Sequence, residues 1–352
     1  MEDTLEEYQD LALVIAWPDQ TARGDEAWMA LLKKIGVVKN LNFRVGHAAI
    51  LLVERCSGQL AYYDFGRYIT PRGYGRARSA ASDPRLTVQT LAHVNGVGHM
   101  LNLQEILKEL SDMEDATHGG GRLFFSIAQG LSFRLASQYA QDLVDAGPIK
   151  YGALAAGNNS CSRFVAQVLL AGWAPGIRQR RSVALPECLK PSPMSNVVNA
   201  SYDGVVCCYH DHTLIRKRMT RWHSLALQMD LLLHNLSAKR AKHLPCDQKP
   251  GCMDEPPRPP SVPKQAQWLG GIGEGAWYVL EWESLSKPTV TRYGRDGQVD
   301  YRVNCQPETG FNPDQPYAFT YDCHYQRHVV VQNGQSVLLK TCMRTASYVR
   351  TA

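Results

Sequence analysis

The sequence lacks several features that would assign it to a class at once. No apolar run reaches the ~18 residues that a membrane-spanning helix needs. Residues 1–7 are acidic, without the basic and then apolar order of a signal peptide. The ten cysteines show no paired spacing typical of a disulfide framework or a zinc site. We therefore expect a reduced, cytoplasmic protein that holds no metal.

Charge and cofactor motifs are also scarce. The net charge of +5 is small for 352 residues, so the composition predicts no nucleic-acid partner. The glycine run 269–275 lacks a preceding strand, a following helix and the lysine of a phosphate-binding loop, so we expect no cofactor. The closest zinc candidate is the Cys-Cys-Tyr-His-Asp-His segment 207–212, which follows two valines and is better interpreted as a strand end.

A proline-rich stretch divides the chain. Residues 245–264 contain seven prolines and predict a stiff, extended linker. Beyond it, residues 265–352 carry short strand patterns, with hairpin turns at 294–297 and 332–335, and they predict a small antiparallel β domain. Residues 1–244 mix helix and strand patterns. The predicted fold class is α+β.

Residues 1–244 alternate between the two-residue hydrophobic period of strands and the 3.6-residue period of helices. We predict strands over 11–17, 43–53, 59–65, 123–128 and 205–209, and helices over 25–35, 102–110, 133–146 and 213–244. Residues 66–85 lack periodicity and predict an ordered loop, and residues 174–204, with four prolines, predict irregular chain.

Cys161 lies where the sequence predicts the start of another helix. Asn159 and Ser160 precede it, and both residue types are good N-caps. A buried helix face follows at Val165, Val168, Leu169 and Trp173. Free N–H groups and the positive end of the helix dipole favour a thiolate in a first turn. The position is typical of a nucleophilic cysteine, and a small buried structural residue is the alternative.

His47 lies near the start of a predicted strand, far upstream of this cysteine. The strands 43–53 and 59–65 form a predicted hairpin, and a turn centred on Ser57 would pair Ile50 with Asp64. Asp64 would then lie beside His47 and orient its imidazole. Because a shift of one residue changes the face of every side chain, the tyrosines before Asp64 remain alternatives, namely Tyr62 and Tyr63.

The chain order of these residues resembles a known family. It is similar to the circularly permuted branch of the papain-like, NlpC-type thiol hydrolases, which includes lecithin:retinol acyltransferase. In that branch the cysteine follows the histidine. The resemblance covers about residues 40–175 and rests on Gly46-His47, Asp64 and the segment Asn159-Ser160-Cys161-Ser162-Arg163-Phe164-Val165. Two differences stand out: the hairpin is slightly longer than in the lipid acyltransferases, and the third residue is Asp, not His.

The resemblance implies a fold and a set of roles. Residues 1–244 would form a permuted papain-like domain, an antiparallel sheet with helices, with a helical extension. Cys161 would attack a carbonyl to form a thioester, His47 would transfer protons and Asp64 would orient it. The backbone N–H of Cys161 would stabilise the oxyanion, with Asn159 or Ser160 as candidates for a second donor.

An arginine-rich segment directly follows Asp64 and indicates the charge of the substrate. The guanidinium group binds carboxylates and phosphates through two parallel hydrogen bonds. If the segment borders the cleft, we expect an anionic peptide or acyl substrate, bound by Arg67, Arg72 and Arg76. Internal ion pairing of these arginines is the alternative.

We expect a cysteine hydrolase that cleaves an amide bond in a peptide or peptidoglycan-like substrate. A thiol acyltransferase or lipase with the same Cys–His pair is one alternative. A non-catalytic binding module on a papain-like scaffold is another. The sequence leaves open the oligomeric state and the role of the β domain.

Overall fold

The chain forms two antiparallel sheets in a computed structural model, which describes residues 7–25, 27–152, 157–188, 190–246, 251–282, 288–308 and 310–342. The first sheet has eight strands and carries helices on both faces. The second has seven strands and lies entirely in the C-terminal part of the chain. Helix and antiparallel sheet are thus mixed in the first part, and a separate sheet domain follows.

The first sheet has every neighbouring pair of strands antiparallel. Its order is β10-β9-β7-β1-β4-β5-β6-β8. The strands are β1 (Asp10–Trp17), β4 (His47–Val53), β5 (Leu60–Gly66), β6 (Tyr74–Arg78), β7 (Leu123–Leu131), β8 (Ile149–Lys150), β9 (Val205–His210) and β10 (Thr213–Arg218). A separate short pair joins β2 (Thr21–Arg23) and β3 (Asn42–Arg44).

Nine α-helices accompany these strands in the described residues. They are α1 (Ala27–Lys34), α2 (Leu103–Asp112), α3 (Glu114–Thr117), α4 (Phe133–Asp145), α5 (Cys161–Gly172), α6 (Arg178–Ala184), α7 (Pro193–Ala200), α8 (Arg221–Leu236) and α9 (Ala238–Ala241). A 3₁₀ turn spans Pro84–Leu86. None of the helices in this part of the chain has the length and apolar character required to cross a bilayer.

Strand β1 is apolar on both faces because helices cover both. Leu13 and Ile15 face the cluster that contains α2, whereas Val14 and Ala16 face the cluster that contains α4 and α5. Successive side chains of a strand point to opposite faces of the sheet, so an uninterrupted apolar run predicts a strand that is buried on both faces. Helix α5, which begins at Cys161, therefore packs on β4 and β5 from one side of a central, rigid sheet.

The second sheet is nearly closed into a barrel. Its order is β11-β12-β13-β14-β17-β16-β15. The strands are β11 (Gln267–Leu269), β12 (Ala276–Trp282), β13 (Pro288–Tyr293), β14 (Val299–Pro307), β15 (Ala318–His324), β16 (Arg327–Gln332) and β17 (Gln335–Thr341). The two edge strands meet through Gln267, whose amide accepts from Phe319 N (2.8 Å) and donates to Tyr317 O (3.0 Å).

The proline-rich stretch lies against this second sheet where the structure describes it. Val262 and Ala266 belong to a buried cluster with Trp277, and the guanidinium of Arg258 lies 4.5 Å from the centre of a Trp277 ring. Residues 247–250 of the predicted linker lie outside the described residues. The predicted domain boundaries at 244, 264 and 265 stay predictions.

Most predicted elements are confirmed, and three segments are wrong. The predicted loop 66–85 contains β6, whose pairing with β5 depends on a distant partner. The predicted irregular segment 174–204 contains α6 and α7; its prolines are compatible with helix because Pro193 occupies the first turn of α7 after the cap Ser192.

The third error is the long helix predicted over 213–244. Asp211 and His212 adopt positive φ values of 47° and 59°, and this two-residue turn folds β10 back on β9. Strand β10 lies at the sheet edge, where its charged side chains Arg216, Lys217 and Arg218 are exposed. Helix α8 begins only at Arg221.

Candidate active site

Cys161 is the first residue of helix α5, as its sequence context predicts. Ser160 caps the helix: its backbone is extended (φ −148°) and its hydroxyl accepts a hydrogen bond from Arg163 N (3.3 Å). The N–H of a residue in the first turn has no partner within the helix. Cys161 therefore combines a thiol with an N–H group that has no partner within its helix, at the positive end of the helix dipole.

His47 is the first residue of β4 and stacks on Trp17, with ring centroids 5.8 Å apart and an interplanar angle of 12°. The predicted hairpin register is wrong by one residue. Ala49 pairs with Asp64, and Ile50 pairs with Tyr63, because the turn is centred between residues 56 and 57. Directly opposed residues share a face, so this register places Asp64 on the same face as Ala49 and His47.

Asp64 is fully buried among four polar partners. Arg78 donates to it through two parallel bonds, from Nε to Oδ1 (3.0 Å) and from Nη2 to Oδ2 (2.6 Å). The hydroxyls of Tyr68 and Tyr62 donate to Oδ2 at 2.9 and 3.2 Å. His47 Nε2 lies 3.4 Å from the same oxygen. The carboxylate is thus held rigidly, and it faces the imidazole.

The electrostatics of this group favour an ion pair. Burial opposes the charge of His47, but hydrogen bonds to Asp64 and Cys161 outweigh burial and raise the pKa of His47 to about 9. Burial likewise raises the pKa of the Cys161 thiol, yet the hydrogen bond and charge of His47 leave that pKa below its ordinary value. Despite burial, Arg78 and His47 hold the pKa of Asp64 well below its usual range. The favoured state is thiolate beside imidazolium.

A cavity of about 340 Å³ opens beside Cys161 and His47. None of the described residues that line it is Asp or Glu. Its polar lining consists of Gln20, Thr21, Arg23, Asn42, Arg67, Tyr68, His118 and Tyr151. Residues from the C-terminal part complete the wall, namely Pro245, Cys246, Gly251, Ile272 and Gly273. No group of three or more potential metal ligands occurs in the described part of the chain.

The two residues predicted as further oxyanion donors lie at the helix start, outside the cavity lining. Asn159 donates from Nδ2 to Gln167 Oε1 (3.0 Å), and its Oδ1 accepts from Ser160 N (2.9 Å). The Ser160 hydroxyl caps the helix. Both side chains are therefore engaged in shaping the turn that carries Cys161, and their proposed role as donors stays a prediction.

The three arginines predicted to bind substrate occupy different environments. Arg67 lines the cavity, with its guanidinium 4.9 Å from the centre of the Tyr151 ring. Arg72 has a 58% exposed side chain and pairs with Asp25 (2.6 Å). Arg76 is buried and donates to the Cys323 carbonyl (3.0 Å) in the second sheet domain. Only Arg67 is brought to the cavity.

The sequence does not predict the pairing of Arg78, from the arginine-rich segment, with Asp64, nor the place of Tyr68 and His118 in the site. Arg78 lies on β6, which the sequence presents as a loop, and Tyr68 lies in the connection before it. The Tyr68 hydroxyl lies 3.2 Å from His47 Nε2, and His118 stacks on the Tyr68 ring at 4.9 Å. A buried carboxylate needs a buried cation on a neighbouring element. That requirement agrees with the internal ion pairing that the sequence leaves open for the arginines after Asp64.

Comparison with known proteins separates the two parts of the chain. Residues 12–176 match the family described as type VI secretion system effector TseH-like, and residues 266–342 match the family described as DUF6695 C-terminal domain. A solved structure, the crystal structure of the type VI secretion system effector TseH, is 19% identical with a TM-score of 0.40. The match covers 60% of this chain and 98% of that one. No curated protein matches the chain. Residues 12–176, which contain Cys161, His47 and Asp64, are therefore similar to the TseH-like effectors of type VI secretion systems.

Proposed function

We propose that this chain is a cysteine hydrolase on a permuted papain-like core, which cleaves an amide bond through a thioester intermediate. One observation carries the proposal: Cys161 lies at a helix start and borders the same cavity as His47, and His47 faces the buried carboxylate of Asp64. A nucleophile, a base and a group that orients the base are the three parts that such catalysis requires.

The proposed reaction begins with the thiolate of Cys161. Its sulfur attacks the amide carbonyl carbon, and the carbonyl oxygen becomes an oxyanion. The imidazolium of His47 then gives its proton to the leaving nitrogen, the C–N bond breaks and a thioester remains. His47, now neutral, takes a proton from water, whose oxygen attacks the thioester. The carboxylic acid leaves, and the proton on His47 restores the ion pair with the thiolate.

Two donors are available for the oxyanion. The first is the backbone N–H of Cys161, which has no partner within its helix. The second candidate is Gln20, which lines the cavity and uses one amide hydrogen on Gly120 O (3.1 Å). A primary amide carries two hydrogens, so one remains for substrate.

The cavity favours an anionic peptide or peptidoglycan-like fragment. Arg67 lines it and forms no ion pair with any described residue, so its guanidinium is available for a carboxylate of the substrate. The volume of about 340 Å³ is at the lower end of the range for small-molecule sites. A short segment with a terminal carboxylate fits this size. The guanidinium of Arg67, and not the polarity of the lining as a whole, favours such a substrate over an acyl chain.

The similarity of residues 12–176 to the TseH-like family favours the role of a type VI secretion system effector for this chain as well. The hydrolase would then act after transfer by that system. Its cytoplasmic location before transfer stays a prediction.

The experiment that tests the proposed function is the pH dependence of Cys161 alkylation by iodoacetamide. Labelling of each cysteine is followed by peptide mass spectrometry in the wild type, in His47→Ala and in His99→Ala, where the histidine is exposed and far in sequence from the site. Cys56, which is exposed, serves as the internal reference.

We expect rapid labelling of Cys161 with an apparent pKa below the ~8.5 of a free cysteine. This pKa should rise in His47→Ala and stay unchanged in His99→Ala. Labelling of Cys161 no faster than that of Cys56, with no response to His47→Ala in a folded protein, would show that the pair is no catalytic couple. The chain would then be a binding module on a papain-like scaffold.

A further inference from the structure

The glycine-rich loop at residues 269–275 belongs to the second sheet domain but lies on the candidate active site. Gly273 N donates to Arg67 O (2.7 Å), and Gly273 lines the cavity. A Cβ at Gly271 would meet Tyr68 O at 2.3 Å, so this position requires glycine for the close approach of the two backbones. The loop therefore supports the segment that carries Arg67 and Tyr68.

The same loop contains Glu274, whose carboxylate lies among three arginines and His118. Its Oε1 accepts from Arg85 Nη2 (2.6 Å) and Arg292 Nη2 (2.8 Å). Its Oε2 lies 3.8 Å from Arg78 Nη1 and 3.6 Å from His118 Nε2. Arg78 and His118 belong to the first part of the chain, so Glu274 joins regions that match different families.

The side chains of His47, Asp64, Arg78 and Glu274 contact one another in that order, and their charges alternate in sign. Arg78 is bound to Asp64 by two bonds and by itself would cancel much of the negative potential that Asp64 exerts on His47. A second carboxylate on the far side of Arg78 restores that potential. Glu274 takes this position, together with Asp83, whose Oδ2 lies 3.7 Å from Arg78 Nη1.

We propose that Glu274 is a positioning residue of the active site: from the second sheet domain, it holds and neutralises Arg78, so that Asp64 stabilises the imidazolium of His47. This inference rests on the proposed function, since it assigns a role in the same Cys161–His47 site. The second sheet domain is then a part of the hydrolase and not an independent module.

The test compares Glu274→Gln with a matched control, Asp300→Asn, in the full chain. Gln keeps the size of Glu and removes its charge. Asp300 lies in the same buried cluster, but its ion-pair partners among the described residues are Arg85 and Arg292. Both variants lose one anion at the contact between the two parts, but only Glu274→Gln removes a carboxylate that lies beside Arg78.

The readout is the pKa of His47, followed by NMR titration of ring-labelled histidine and assigned with His47→Ala. We expect Glu274→Gln to lower this pKa by about half a unit, which is roughly a threefold change in the protonation equilibrium. Asp300→Asn should change the equilibrium by less than about 1.3-fold. A purely structural role for Glu274 would lower stability and leave the titration of His47 in the folded protein in place.

The failures are distinguishable. If wild-type Cys161 is activated and depends on His47, but Glu274→Gln leaves the pKa of His47 unchanged, the proposed function stands and the positioning role is overturned. Equal shifts in Glu274→Gln and Asp300→Asn would also overturn it, because the effect would then come from the whole cluster. An unactivated wild-type Cys161 would overturn both.

If Glu274→Gln does not fold, a second variant tests the same positioning role. Gly271→Ala keeps every charge but forces the loop away from Tyr68 O. Its control is Gly96→Ala, where a Cβ would meet no atom within 4 Å. We expect Gly271→Ala to lower the pKa of His47 in the same direction as Glu274→Gln, and the positioning role is overturned if the two glycine variants titrate alike.

Discussion

Two Cys–His pairs in the described part of the chain differ in their access to a cavity and in their ionisation. Cys161 and His47 border a cavity in the first part of the chain. Cys305 and His328 lie inside the second sheet, with Sγ 3.9 Å from Nδ1 and with Tyr301 Oη 2.9 Å from Nε2. The imidazole of His328 therefore has a thiol on one side and a phenol on the other, whereas Nε2 of His47 faces the carboxylate of Asp64.

Ionisation separates the two pairs. Burial raises the pKa of Cys305 to about 12, and burial together with the charge of Arg292 lowers the pKa of His328 to about 3. Both groups of the second pair are neutral at pH 7, whereas the first pair favours thiolate and imidazolium. The difference lies in the third residue, a carboxylate in one pair and a phenol in the other, and in the helix start under Cys161. A thiol beside an imidazole is thus insufficient for an active nucleophile.

The largest expected difference between the two pairs is in the rate at which their cysteines are alkylated. Alkylation requires the thiolate, and at pH 7 a thiol with a pKa of about 12 is ionised in only ~10⁻⁵ of molecules. We expect Cys161 to react with iodoacetamide at least about 10³-fold faster than Cys305 in the native protein. Site-resolved mass spectrometry with a time course in the absence and presence of urea measures both rates. Comparable native rates would abolish the distinction between the two pairs.

Replacing Asp64 by Asn makes the first site resemble the second by removing its carboxylate charge. The change leaves Arg78 as a buried cation without its main partner, and we expect the free energy of unfolding to fall by about 3–5 kcal/mol. Asp112→Asn, which removes the partner of Lys108 in a pair whose side chains are both more than half exposed, should cost less than ~1 kcal/mol. Urea unfolding curves of both variants measure the two costs, and a cost for Asp64→Asn as small as that for Asp112→Asn would contradict the buried pair.

We expect the contributions of His47 and His328 to the free energy of unfolding to depend on pH in opposite directions. The pKa of His47 is raised to about 9, so its contribution is complete below ~6.5 and is lost as the pH rises from there through 9. The pKa of His328 is lowered to about 3, so its contribution is present above ~6.5 and is lost as the pH falls towards 3. Each effect is on the order of 1–4 kcal/mol, since Cys161 offsets part of the first.

Urea midpoints across pH 4 to 9.5 measure these slopes in the wild type, His47→Gln and His328→Gln. We expect the alkaline loss of stability to flatten only in His47→Gln and the acid loss to weaken only in His328→Gln. The same slope in the wild type and His47→Gln above pH 6.5 would show that the imidazolium is not stabilised by folding.

The smallest expected effect concerns the two phenols. Tyr68→Phe removes a hydroxyl that contacts both Asp64 and His47, and Tyr301→Phe removes the partner of His328. Each change should lower the free energy of unfolding by about 1–2 kcal/mol. Only Tyr68→Phe should also change the pH profile of Cys161 labelling, and a shift of that profile in Tyr301→Phe would contradict the separation of the two sites.

Local signals account for what the sequence predicts well. Cys161 was found because a cap and an apolar helix face adjoin it, and His47 because a strand begins there. The strands of the second sheet carry β-branched and aromatic residues and are punctuated by turns, so their positions follow from the sequence. The sequence indicates Asp64 on the strand beside His47 but predicts its pairing one residue out of register, because the length of the turn decides which residues oppose each other.

The features that the sequence does not predict depend on contacts between residues that lie far apart along the chain. Arg78 contacts Asp64 only because β6 joins β5, and nothing between residues 66 and 85 marks that strand locally. The contact of Glu274 with Arg78 spans 196 positions and depends on how the second sheet lies on the first part. The glycine run appears in the sequence as a simple turn before Trp277. Its role as a close backbone contact requires the partner, Tyr68, to be known.

The position of Glu274 along the chain sets an order of events during synthesis. Cys161, His47, Asp64 and Arg78 all leave the ribosome before Glu274, which follows Cys161 by 113 residues. At ~5–20 residues per second this interval lasts roughly 6–23 s. During that interval Cys161 has been synthesised, but the cavity wall formed by Ile272 and Gly273 and the contact of Glu274 with Arg78 are still absent.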